Sequence, residues 1–122
     1  MFMGVKLNAT EKRIIYLIHL FEEPVPKDRI HKVVKLLIDR GARFKLKFYD
    51  NYSPDLDEEL SKLARRGYLR ELYMTGPGYL SLYIPYYKVG ERGVRVVEKL
   101  DIDKKDMKLI ESTVSRIKRD TG

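Results

Sequence analysis

Hydrophobic positions along this chain follow two different rhythms. Ile14, Ile15, Ile18 and Phe21 recur at helical spacing. Asn8 or Thr10 is placed to cap that helix, and Glu11 stands three residues after Asn8, as in a capping box. Pro24 and Pro26 close it, and Pro26 suits the first turn of the next helix. The second helix is predicted from Lys27 to Arg40. Its apolar face is Ile30, Val33, Val34 and Leu37, and Gly41 stops it. Arg29, His31, Lys32 and Lys35 fall between these positions and predict a wet basic face.

The rhythm then shortens to two. Arg43-Phe44-Lys45-Leu46-Lys47-Phe48 alternates cation and apolar residue, which predicts a strand with one wet and one dry face. Asp50-Asn51 is turn chemistry. Ser53 and Pro54 predict the N-cap and first residue of a third helix, with Leu56, Leu60, Leu63 and Ala64 buried and Gly67 at its end. Tyr68 to Thr75 and Tyr79 to Val89 read as a hairpin around Gly76-Pro77-Gly78, and Pro85 predicts an edge or bulge. Helices are predicted at Glu91 to Leu100 and Asp103 to Lys118. The fold class is therefore α+β. Three helices and a two-stranded wing give a winged helix-turn-helix over residues 1–100, followed by a C-terminal helix in residues 101–122. The strand before the third helix is expected to complete a three-stranded sheet.

Composition narrows the class. At 122 residues the chain suits one domain. It has no Cys, which removes disulfides, thiolate metal sites and Cys nucleophiles. MFMGVKLNAT does not read as a signal peptide, and no window is apolar enough to span a membrane. A cytoplasmic location is expected. The wealth of Lys, Arg and Glu, with no Gln, fits a thermophilic source. Net charge is +7, and residues 1–49 hold 11 Lys/Arg against 5 Asp/Glu. Such an excess suits an anionic partner, most often nucleic acid.

The third helix runs against that trend at its start. Asp50, Asp55, Asp57, Glu58 and Glu59 lie within thirteen residues. Acids favour the first turn of a helix, and Glu58 is placed to pair with Lys62. In most helix-turn-helix proteins that end approaches the bases, so these acids are electrostatically wrong for the task. The candidate DNA contacts are instead Lys62, Arg65 and Arg66 at the far end, with the strand cations Arg43, Lys45 and Lys47, and Arg70. The strand cations also read simply as an exposed edge guarded against aggregation. The uncharged tip Thr75-Gly76-Pro77-Gly78-Tyr79 lacks the cation expected of a wing in a minor groove. Tyr68, Tyr73, Tyr79, Tyr83, Tyr86 and Tyr87 suit a half-buried hairpin. His19 and His31 lack a third ligand, so they read as surface or partly packed, with no metal or other cofactor. No catalytic motif is present, and the chain does not read as an enzyme.

Met107, Ile110, Val114 and Ile117 form an apolar stripe on the last helix. It either packs on its own domain or pairs with a copy, and a symmetric homodimer is the favoured expectation.

Tyr52-Ser53-Pro54-x-Leu56, then Leu60, Leu63, Gly67 and Leu69, and later Tyr87-x-Val89 with Gly93, resembles the archaeal and bacterial winged-helix proteins of the YwgA-like type, distant relatives of the Panacea antitoxin domain. The resemblance spans Ile14 to Leu100. It departs at Asp50-Asn51, where Gly-Pro is frequent, and at Gly90, where Thr often caps the helix after the wing. It implies a winged helix with a regulatory role and no catalytic residues. The expected function is a transcriptional regulator contacting double-stranded DNA through a basic face. The alternative is a winged-helix module that binds another protein through the acidic start of the third helix and the Tyr-rich hairpin.

Overall fold

Asn8 opens α1 (Ala9–Phe21) with a complete capping box. Its side chain accepts the Glu11 amide at 2.8 Å, and Glu11 accepts the Asn8 amide at 2.8 Å. The computed structural model describes residues 6–73 and 84–121. A two-residue strand, β1 (Val25–Pro26), leads into α2 (Lys27–Asp39). Beyond α2, Gly41 adopts φ 102°, a left-handed conformation that favours glycine and turns the chain away. Ser53 caps α3 (Pro54–Arg65) by accepting the Leu56 amide at 3.1 Å. β2 (Leu69–Tyr73), β3 (Pro85–Val89), α4 (Glu91–Glu98) and α5 (Lys104–Thr121) complete the chain. The α+β class therefore holds, with five helices and one small antiparallel sheet among the described residues.

One strand expectation is corrected. The sheet order is β1-β3-β2, so its third strand is Val25–Pro26 rather than the basic run at 43–48. That run is extended and keeps its alternation: Phe44 is buried, while Arg43, Lys45 and Lys47 face solvent. Among the described residues it has no partner strand, and side chains take its alternate amides instead. The Arg43 amide donates to Asp106 Oδ2 at 3.3 Å, Lys45 to Thr10 Oγ1 at 3.0 Å and Lys47 to Asp55 Oδ2 at 2.9 Å. Pro85 starts β3 opposite Tyr73 and beyond the reach of β1, which pairs only with Tyr86 and Tyr87, so this end of the central strand is an edge, as the proline predicts. A first-residue proline costs the ladder nothing there. The hairpin tip, with Tyr79 and Tyr83, lies outside the described residues.

The predicted apolar faces of α1, α2 and α3 meet in one core with Val25, Leu69 and Tyr87. α5 joins the same core. Ile110 is 0% exposed and Val114 2%, and Met107 and Ile117 pack against them. Of the two fates expected for Met107, Ile110, Val114 and Ile117, the described residues show the stripe packed on its own domain, against α1 and α2. Polar ties hold it there. Arg13 pairs with Asp106, Arg40 Nη1 donates to buried Thr113 at 2.6 Å, and the Tyr16 hydroxyl donates to Glu111. Burial, reinforced by the Glu111 bond, pushes the Tyr16 phenol up to about 12.

Gly93 is required by a close approach. A Cβ there would lie 2.3 Å from the Tyr68 carbonyl oxygen and 2.6 Å from Val89 Cγ1. A backbone atom cannot rotate away, so α4 would have to lift off the hairpin. Gly93→Ala is expected to cost about 1–3 kcal/mol, although alanine is the better helix former. Urea denaturation checks this, and a stabilised variant would overturn it. Gly90 has a similar reason: its Cβ would meet the Gly67 carbonyl oxygen at 2.8 Å, which explains why no side-chain cap stands there.

Candidate functional site

The seven candidate cations do not form one face. Arg43 is bound to Asp103 of the turn before α5, and its Nε lies 3.6 Å from Asp106 Oδ2. Lys62 and Arg66 lean toward α1, 3.9 and 3.7 Å from Glu11 Oε2. Glu11 is 3% exposed, so its charge needs those neighbours. Lys62 also meets Glu59 at 3.4 Å, rather than the expected Glu58. Burial, then the adjacent Glu11, holds the Glu59 carboxyl above its ordinary range, with Lys62 opposing.

Lys45 and Lys47 are exposed and make no ion pair among the described residues. They border the start of α3, where the Lys47 amide meets Asp55. Ten helical residues separate that point from Arg65, about 15 Å. The acids of the first turn are occupied locally. Asp57 meets Lys27 Nζ at 2.5 Å and accepts the Tyr52 hydroxyl at 3.0 Å. Among the described residues no group of His, Asp or Glu is arranged to hold a metal ion.

Arg65 and Arg70 do come together. A groove of about 510 Å³ between the last turns of α3 and β2 is lined by Ser61, Ala64, Arg65, Gly67, Arg70 and Glu71. The strand register places Lys88 directly opposite Arg70. Strand alternation puts both on the outer face, with Leu72 and Tyr86 as the neighbouring pair. Arg65, Arg70 and Lys88 make no ion pair among the described residues, and Glu71 is occupied by the Tyr87 and Tyr73 hydroxyls at 2.5 and 3.0 Å. Like charges directly opposite in an antiparallel pair are destabilising. Lys88 was missed by sequence reasoning, although its alternation with Tyr87 marks it as outward-facing.

A second cationic cleft lies between α1 and α4, of about 360 Å³, around Lys12, Tyr68, Arg92, Arg95, Lys99 and Asp101. Arg92 Nη1 donates to the Arg66 carbonyl at 2.8 Å, and Nη2 to the Tyr68 hydroxyl at 3.1 Å. Its guanidinium carbon sits 4.6 Å from the Tyr68 ring centre. These α4 cations were also missed. The signal was available in their i, i+3, i+7 spacing.

His31 is buried rather than on the wet face of α2. Its Nδ1 faces the Lys27 carbonyl at 3.0 Å, its Nε2 faces the Ser53 carbonyl at 3.2 Å, and its ring stacks on Tyr52 with 5.0 Å between centres. It therefore locks α2 to the entrance of α3. His19 is exposed.

No protein family, curated protein or solved structure matches the chain in comparison. Among the described residues no helix is long and apolar enough to cross a membrane.

Proposed function

We propose that this chain is a winged-helix protein that binds double-stranded DNA and acts as a transcriptional regulator. The order helix, strand, helix, helix, strand, strand, with sheet order β1-β3-β2, supports the winged-helix reading. The observation that carries DNA binding is the register of Arg70 against Lys88 beside Arg65, three cations without an acidic partner among the described residues. Held together, they repel one another, and a phosphate backbone would relieve that repulsion. DNA therefore meets the last turns of α3 and the outer face of the sheet, away from the acids of the first turn.

A salt series with random duplex DNA tests this reading. Affinity is expected to fall steeply as salt rises. The triple variant R65A/R70A/K88A is expected to lower the salt slope by roughly one unit per cation removed. A flat, millimolar response in the full protein sinks the proposal. That outcome selects the second reading, a module that binds another protein. Tyr49 and Tyr73, 62% and 61% exposed near the acidic start of α3 and on the hairpin, favour it as anchoring rings.

A further inference from the structure

The cleft between α1 and α4 is a second cationic site, distinct in residues from the groove proposed for DNA. We infer that it binds a small phosphorylated ligand through a di- or triphosphate group. Among the described residues Lys12, Arg92, Arg95 and Lys99 face a single acid, Asp101, whose carboxylate already meets Lys12 Nζ at 2.7 Å. Arg95 and Lys99 are one helical turn apart and have no partner among the described residues. Like charges at that spacing repel. The negative end of the α4 dipole accounts for Arg95 in the last turn and Lys99 at the cap.

It does not account for Arg92. That cation stands in the first turn of α4, where the dipole disfavours it. Its guanidinium is nevertheless fixed by a backbone carbonyl, a tyrosine hydroxyl and an aromatic face. All three partners are uncharged. They orient the planar fork and leave its charge unneutralised, which is the arrangement that suits a phosphate. A volume of about 360 Å³ accommodates an oligophosphate head with part of what it carries. DNA phosphates share this chemistry, so the test must separate the two sources.

The probe is inorganic pyrophosphate, titrated calorimetrically into the full chain at physiological salt. Saturable binding at one site per chain is expected. R95A/K99A, both exposed positions, is expected to weaken it at least about tenfold. Asp101→Asn removes the one acid among the cleft's described residues and is expected to tighten it. R65A/R70A is expected to leave it unchanged, and a duplex DNA titration of R95A/K99A is expected to match the unsubstituted protein. Three results overturn the inference: no saturable pyrophosphate binding, equal weakening by R65A/R70A, or a loss confined to duplex DNA. The pyrophosphate arm does not depend on whether the DNA reading stands.

Discussion

A chain ended after Leu100 is expected to lose its cooperative unfolding transition, not merely a dimer contact. The cut removes Ile110 and Val114, which are 0% and 2% exposed in the core shared with α1 and α2. Replacing either by alanine alone would cost about 2–5 kcal/mol for Ile, and less for Val. The cut also uncovers the α1 and α2 surfaces beneath them. It leaves Arg13 without Asp106, Arg40 without Thr113 and Tyr16 without Glu111. A domain of this size has only about 5–15 kcal/mol of net stability, so the loss exceeds what remains. Circular dichroism melting of the truncated chain decides the matter. A sharp transition within a few degrees of the full chain would show that α5 is dispensable to the core. If α5 instead served pairing alone, the truncation would melt normally and sediment as a monomer, while the full chain sedimented as a dimer.

What was legible in the sequence was local. Asn8 with Glu11, Ser53 with Pro54, and the glycines at 41 and 67 set helix ends through contacts a few residues long. The apolar faces of α1, α2 and α3 followed from periodicity. Partners across the chain were not legible. Alternation in Arg43 to Phe48 reports sidedness, but cannot say that the amides of 43, 45 and 47 meet Asp106, Thr10 and Asp55 instead of a strand. Nor does a list of cations reveal which are already neutralised. Arg43 finds its acids sixty residues onward, and Lys62 and Arg66 meet Glu11 some fifty residues back. The candidate site moved for that reason. What remained unpaired among the described residues was Lys45 and Lys47, which stand apart, and Arg65 and Arg70, which share a groove and are joined by Lys88 through a strand register that no local pattern specifies.

Breaking the buried pair between α1 and α5 is expected to be the most damaging single substitution outside the apolar core. Arg13 Nε and Nη2 each lie 2.8 Å from Asp106 Oδ2, and the two side chains are only 6% and 1% exposed. Arg13→Met would strand a carboxylate in the core, with the Arg43 amide at 3.3 Å and the Arg43 Nε at 3.6 Å as its remaining support. Removing one partner of a buried pair costs about 3–5 kcal/mol, and the Arg43 contacts place this case toward the lower end. The double variant Arg13→Met/Asp106→Leu removes both charges and keeps apolar volume. Its loss is expected to be smaller than that of either single variant. The residue left over is the Arg43 amide without its acceptor, about 1 kcal/mol. Urea unfolding of the four proteins at one pH gives the coupling directly. If the double variant loses as much as the two singles combined, the pair is not acting as a desolvated unit. If Arg13→Met alone loses under about 1 kcal/mol, water reaches Asp106 and the site behaves as a surface ion pair.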